Sequence, residues 1–312
     1  MIPHVGPDSG SDIGLEMHDL SDPSSKAMRP AIGIAVMVAG MVILASTDAV
    51  SKHLTLGFAV VQILWVRYVI FAAMGTWLAW RKAGLDGFRT RMPVAQVARA
   101  LILNAANFTF VSALARMEMA DAHSIWAVAP LMIVAASAPL LGEWVGPRRW
   151  AAVALGFVGM LIILRPGLGV FDLTALIPVA GACFFAAYTI LTKIISRQDP
   201  HETTLFYTGW IGLACLSIFA PFYWTVPDSQ EWGLLILAGF GGTIAHVCII
   251  VALHLAPANV LQPFNYTMLV WATVLGYLVF GDLPDTFTIV GATIIVASGL
   301  YAWHRERIAA AN

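Results

Sequence analysis

Residues 256–282 read APANVLQPFNYTMLVWATVLGYLVFGD and close on Phe280, Gly281 and Asp282. A proline turn opens the stretch, and about twenty mostly apolar residues follow, enough for a helix to cross a bilayer. Residues 117–143, MEMADAHSIWAVAPLMIVAASAPLLGE, follow the same plan and close on Leu141, Gly142 and Glu143. Each stretch has a polar-aromatic first third and an apolar remainder, and a further apolar run comes after it, Trp150–Leu164 or Phe287–Trp303. A repeated unit of this size governs how the rest of the chain is read, because repeats bury their apolar faces on one another.

The surrounding composition belongs to a membrane. Of 312 residues 59% are hydrophobic and 11% charged, against about 25% charged in soluble domains. The mean hydropathy is +0.80. A net charge of −1 gives no reason to expect nucleic acid as a partner. Cys183, Cys215 and Cys248 lie inside apolar runs without metal-ligand spacing, so they read as buried thiols and no metal or cofactor is expected. Residues 1–30 are rich in Gly, Ser and Pro and carry Asp8, Asp12, Glu16, Asp19 and Asp22. Such a segment cannot bury a core and reads as a disordered tail. Its polar start is unlike a signal peptide, and Met1 and Met28 both stay open as the start of translation.

Ten apolar spans are expected, at roughly 31–50, 59–80, 97–115, 122–141, 150–165, 174–195, 204–222, 233–253, 259–280 and 287–303. In hydrocarbon each backbone amide must be bonded within its own segment, so these are helices. With the N-terminus in the cytoplasm, twelve basic residues fall in inner loops and tails: Lys26, Arg29, Arg81, Lys82, Arg89, Arg91, Arg148, Arg149, Lys193, Arg197, Arg305 and Arg307. Three fall outside, Lys52, Arg116 and Arg165. That bias places both termini in the cytoplasm. The echo between the fourth and ninth spans divides the chain into halves of five. An odd number of crossings makes the second half enter from the opposite side, so the repeats are inverted, as in many secondary transporters. The expected fold is all-α: ten transmembrane helices in two inverted five-helix repeats, at 31–166 and 174–304, with cytoplasmic tails at 1–30 and 305–312.

Several short motifs share a family pattern. They are Ser46–Leu54 (STDAVSKHL), Val66-Arg67-Tyr68, Leu141–Trp150 (LGEWVGPRRW) and Leu164-Arg165-Pro166 in the first half. In the second they are Phe185–Lys193 (FAAYTILTK), Asp199–Phe206 (DPHETTLF), Leu255–Pro263 (LAPANVLQP) and Phe280–Asp282. Through them the chain resembles the drug/metabolite transporter superfamily, EamA type, over nearly all of 31–307. The second half departs from that pattern in ending on Gly-Asp where Gly-Glu is commoner. The resemblance implies a multi-pass protein of a bacterial inner membrane, with a central cavity reached alternately from each side. It also implies a small organic solute, such as an amino acid, a nucleoside-like compound or a vitamin; riboflavin uptake proteins are known in the family. A homodimer stays open.

Candidate site residues are the polar groups at membrane depth. Arg67 sits in an otherwise uncharged span, where burying it costs about 2.5–3.5 kcal/mol; it either serves substrate or gating, or is bonded to backbone carbonyls. Asp48 and Lys52 are spaced to pair on one helical face, as a helix-ending ion pair or as an outer gate in which Asp48 handles a coupling proton. His123 and Trp126, with Pro130 beyond them, correspond to Gln262, Asn265 and Tyr266 in the ninth span. These polar-aromatic faces are expected to meet near the pseudo-two-fold axis and contact substrate, unless they only join helices or form an interfacial belt. Asn104, Asn107 and Tyr188 are further lining candidates, and His246 is either a bonded core residue or a proton carrier. Were Trp126, Tyr188 and Tyr266 to line one cavity, a flat conjugated solute such as riboflavin would stack there; an exporter of aromatic amino acids fits the same aromatics. An enzyme is not expected, for want of a nucleophile-base pair or paired acids. A non-transporting receptor or scaffold has no need of inverted repeats.

Overall fold

The computed structural model describes residues 30–141, 146–165, 173–196, 198–256 and 258–311. The tail expected at the N-terminus, Glu143 and Arg197 therefore lie outside the described residues. Five crossings come from α1 (Pro30–Leu54), α2 (Val60–Ala83), α3 (Pro93–Leu114), the pair α4 (Met119–Trp126) and α5 (Ala129–Leu141), and α6 (Pro147–Leu164). Five more come from α7 (Leu176–Ile195), α8 (His201–Phe219), α9 (Ser229–Leu255), the pair α10 (Ala258–Asn265) and α11 (Thr267–Leu275), and α12 (Thr286–Ala311). Among the described residues ten segments are long and apolar enough to span a membrane. Starts follow local chemistry. Pro93 and Pro147 open α3 and α6, where a missing N–H costs nothing. Asp228 and Glu231 form a capping box on α9, satisfying two otherwise orphaned amides.

The fourth and ninth crossings are both interrupted. Pro130 has no N–H to give the carbonyl of Trp126. The chain instead makes tighter turns, Val128 N to Ile125 O at 3.2 Å and Leu131 N to Val128 O at 3.0 Å. Pro263 occupies the last turn of α10; Tyr266 N then reaches Pro263 O at 3.3 Å and Leu269 N reaches Tyr266 O at 3.1 Å. The ninth crossing ends in a π-helical turn, Gly276–Phe280, closed by Gly281 at φ 76°, a backbone state glycine adopts without strain.

Helix neighbours obey an exchange of each crossing with the one five places on. The first packs on the eighth (α1 with α9) and the third on the sixth (α3 with α7), while α2 meets α8, α6 meets α12 and α4 meets α11. The half-helices keep the rule, since α1 packs on α11 as α7 packs on α5. Two repeats related by a two-fold axis give this pattern. At the α6–α12 crossing the relation is nearly atomic. A Cβ on Gly159 would lie 2.8 Å from the Gly291 carbonyl oxygen, and one on Gly291 would lie 2.5 Å from that of Gly159. Each glycine admits the other's backbone, the small-residue packing that joins helices where lipid removes the hydrophobic drive. Gly159→Val is therefore expected to destabilise the protein by about 1–3 kcal/mol, read as a lower unfolding temperature in detergent. An unchanged midpoint would show that this crossing is looser than it looks. Outward, Trp80, Leu155, Ile218, Phe240, Leu278 and many other large apolar side chains are exposed, as a surface facing acyl chains requires.

Candidate functional site

A row of rings runs through the interior. Phe110 of α3 lies 4.9 Å from His123 and 4.6 Å from Trp126, both on α4. Trp126 continues to Phe185 of α7 at 5.4 Å, Phe185 to Tyr188 at 5.9 Å, and the Arg99 guanidinium covers Tyr188 at 5.3 Å. These spacings suit offset or edge contacts between rings. The indole reaches α7 because Gly181 has no side chain: a Cβ there would sit 2.6 Å from Trp126 Cζ3. Trp126 is half-buried and ends the half-helix α4, so the row meets the break in the fourth crossing.

Asp48 and His123 face each other beside this row. Asp48 is 4% exposed and His123 5%, with Nε2 3.5 Å from Oδ2. The expected pairing of Asp48 with Lys52 does not form. Lys52 Nζ instead reaches Asp282 Oδ2 at 3.0 Å and donates to the Met117 carbonyl at 2.7 Å, with the Phe280 ring 5.0 Å away. The reason is position: Lys52 sits in the last turn of α1, where its long stem reaches the end of the ninth crossing, while Asp48 is a turn deeper. Lys52, Phe280 and Asp282, with Leu114 and Glu118, line a cleft of about 360 Å³ at this end of the bundle. Arg165 ends α6 in the left-handed region at φ 48°, pairs with Asp285 and covers Phe287 at 4.3 Å.

The remaining expected residues divide between neighbouring surfaces. The Arg67 guanidinium rests on Gly242 of α9, where a Cβ would come within 3.2 Å of Nη2. Among the described residues Arg67 enters no ion pair. His246, on the same helix, bonds the Gly242 carbonyl through Nδ1 at 2.8 Å and meets Phe71 edge-on at 6.1 Å. Asn107 donates to the Tyr68 hydroxyl at 3.0 Å, and Asn104 to the Gly212 carbonyl at 3.1 Å. Tyr266 turns to α12, where a Cβ on Gly299 would overlap its hydroxyl. Asn265 is half-buried and is not without a partner; the side chain of Gln262 is outside the described residues. The structure thus joins Asp48, His123, Trp126 and Tyr188 in one line, and Tyr266 leads elsewhere.

The opposite end holds a network that sequence reasoning passed over. Arg99, 1% exposed, donates to Gln96 Oε1 at 3.3 Å, to the Thr204 carbonyl at 2.8 Å and to the Thr208 hydroxyl. Asp199 accepts from the Arg91 amide at 2.8 Å, Gln96 Nε2 at 2.9 Å and the Thr90 hydroxyl. Lys82 and Glu202 pair beside them at 2.8 Å. The spacing of Gln96 and Arg99 on one face of a span was the available signal. Burial pushes the Asp199 carboxyl up, but the Thr90, Arg91 and Gln96 donors outweigh it and hold it below the usual carboxylate range. A depressed value means that its contribution is complete above the unfolded value of about 3.9 and lost as pH falls through the folded one. Protease cleavage of the 84–92 loop is expected to stay constant from neutral pH to about pH 4 and rise below; a rise already at pH 6 would contradict this anchoring.

The EamA-like transporter family model matches residues 31–165 and 173–302. A riboflavin transporter of Rhizobium johnstonii is 30% identical over 235 residues, 72% of this chain and 75% of its own. A riboflavin transporter of Vibrio cholerae is 36% identical over 170 residues, 54% of this chain and 57% of its own. An S-adenosylmethionine uptake transporter of Rickettsia bellii is 25% identical over 276 residues, 88% and 94% of the two chains. A solved crystal structure superposes with a TM-score of 0.62 at 22% identity over 87% of this chain and 96% of that one. At that identity the likeness speaks for the fold.

Proposed function

The chain belongs to the EamA-like transporter family, and on that footing we propose that this multi-pass membrane transporter imports a flat heteroaromatic metabolite of the riboflavin class by alternating access. The observation that carries the reading is the ring row that passes through Trp126, on a helix interrupted in mid-span. Stacking platforms take planar solutes, and an interrupted helix offers free backbone groups only where it lines a cavity or is buried in protein. Arg67, which enters no ion pair among the described residues, is available to a carbonyl or anionic oxygen of the solute. Riboflavin transporters among the relatives support the same class.

The two repeats are 31–166 and 174–304, and both termini are cytoplasmic, since the basic residues gather on that side. The Lys52 end is then the outer end and the Asp199 end the inner. Expression in a riboflavin-auxotrophic bacterium is expected to restore growth on low external vitamin. Restoration only by S-adenosylmethionine in a strain requiring it would move the substrate to the class named for the Rickettsia relatives. Resistance to toxic aromatic amino acid analogues without any rescue would reverse the direction.

A further inference from the structure

Asp48 and His123 are the interior groups whose placement asks for a ligand that the ring row does not supply. The imidazole Nε2 is buried without a hydrogen-bond partner. At 3.5 Å from the carboxylate it is too distant for a good hydrogen bond. Ala45 and Ala49 of α1, Met119 and Ala122 of α4 and Ala272 of α11 form an apolar cluster between the same helices. The other charged groups on the neighbouring elements are engaged or stand off. From α2, Arg67 acts on Asp48 through space without pairing. Lys52, a turn along α1, is held by Asp282, and His246 of α9 is bonded to Gly242. On α4, Asp121 is turned toward Thr288 of α12; α3 presents the Phe110 ring.

Resting on the transporter reading, we propose that Asp48 and His123 together bind one proton, and that this proton is the coupling ion. Without it the pair carries one buried negative charge in the field of Arg67; with it the pair is neutral and one hydrogen bond joins α1 to α4. Asp48 stands on the uninterrupted α1, whereas His123 shares the short α4 with Trp126. A displacement of α4 that admits or releases a stacked solute pulls the pair apart. The proton is taken from water on the outer side and given to water on the inner side, with no bond of the solute made or broken. One positive charge moves inward per neutral solute.

Two measurements test this on the full-length protein. In infrared difference spectra across a pH titration, the C=O stretch of a protonated carboxyl is expected to vanish in Asp48→Asn and to shift its midpoint in His123→Gln. A band untouched by Asp48→Asn, or a midpoint unmoved by His123→Gln, overturns the proposal. In wild-type proteoliposomes with the transmembrane voltage clamped, riboflavin is expected to accumulate about tenfold per unit of pH difference, for one proton per neutral solute. Accumulation indifferent to the gradient also overturns it. No riboflavin movement at all removes the substrate reading instead, and the infrared result then decides the proton site alone.

Discussion

If the proposed import of a riboflavin-class solute holds, Trp126→Ala is expected to lower riboflavin uptake at least about thirtyfold, the loss that goes with truncating a central aromatic anchor at about 2 kcal/mol or more. The indole touches Phe110 at 4.6 Å and Phe185 at 5.4 Å and fills the notch left by Gly181. Its removal therefore opens the row in the middle. Trp126→Phe keeps a ring there and is expected to retain most of the uptake. Because a large-to-small change inside a bundle also costs stability, both variants are compared by unfolding temperature before uptake is measured. Full activity in a normally folded Trp126→Ala protein would take the indole out of the solute's path.

The second large effect concerns the Lys52 end. Lys52 ties α1 to the α3–α4 connection through the Met117 carbonyl and to the end of the ninth crossing through Asp282. The two side chains are 15% and 23% exposed, so solvent screens the pair in part. Charge-assisted hydrogen bonds of this kind are worth about 1.5–3 kcal/mol. Lys52→Ala is expected to shift the balance toward a state open at this end by about tenfold or more. Thiol labelling of a cysteine placed at Leu114, in the cleft wall, would read the shift as faster modification. Exchanging the partners, Lys52→Asp with Asp282→Lys, is expected to restore much of the slow labelling. Equal rates in wild type and Lys52→Ala would show that the pair does not latch this end.

Both effects arise where neighbours are distant in sequence, and there the residues alone said least. His123 and Trp126 stood out as polar and aromatic groups at membrane depth, and Pro130 lay beside them. That the helix breaks at this proline follows from its missing N–H, but that the indole goes to Gly181 of α7 is a matter of tertiary contact. Lys52 and Asp48 had the spacing of a helical pair, and spacing permits such a contact without selecting it over a better one across the bundle. The five donors of Arg99 and its spacing from Gln96 signal a bonded group without naming its partners. Thr204, Thr208 and Tyr188, which bond or face it, come from helices of the other half.

Length, hydropathy, the echo between residues 117–143 and 256–282 and the distribution of Lys and Arg by themselves determined ten membrane-spanning helices, their doubling into five and five, and the orientation expected of them. They could do so because a bilayer imposes one length and one internal bonding rule on every crossing. Only the tertiary structure decided that Asp48 meets His123, that Lys52 closes on Asp282, and that Tyr266 turns to α12. Such choices depend on where glycines let helices approach and where prolines end them, and on which partner lies within reach of each side chain.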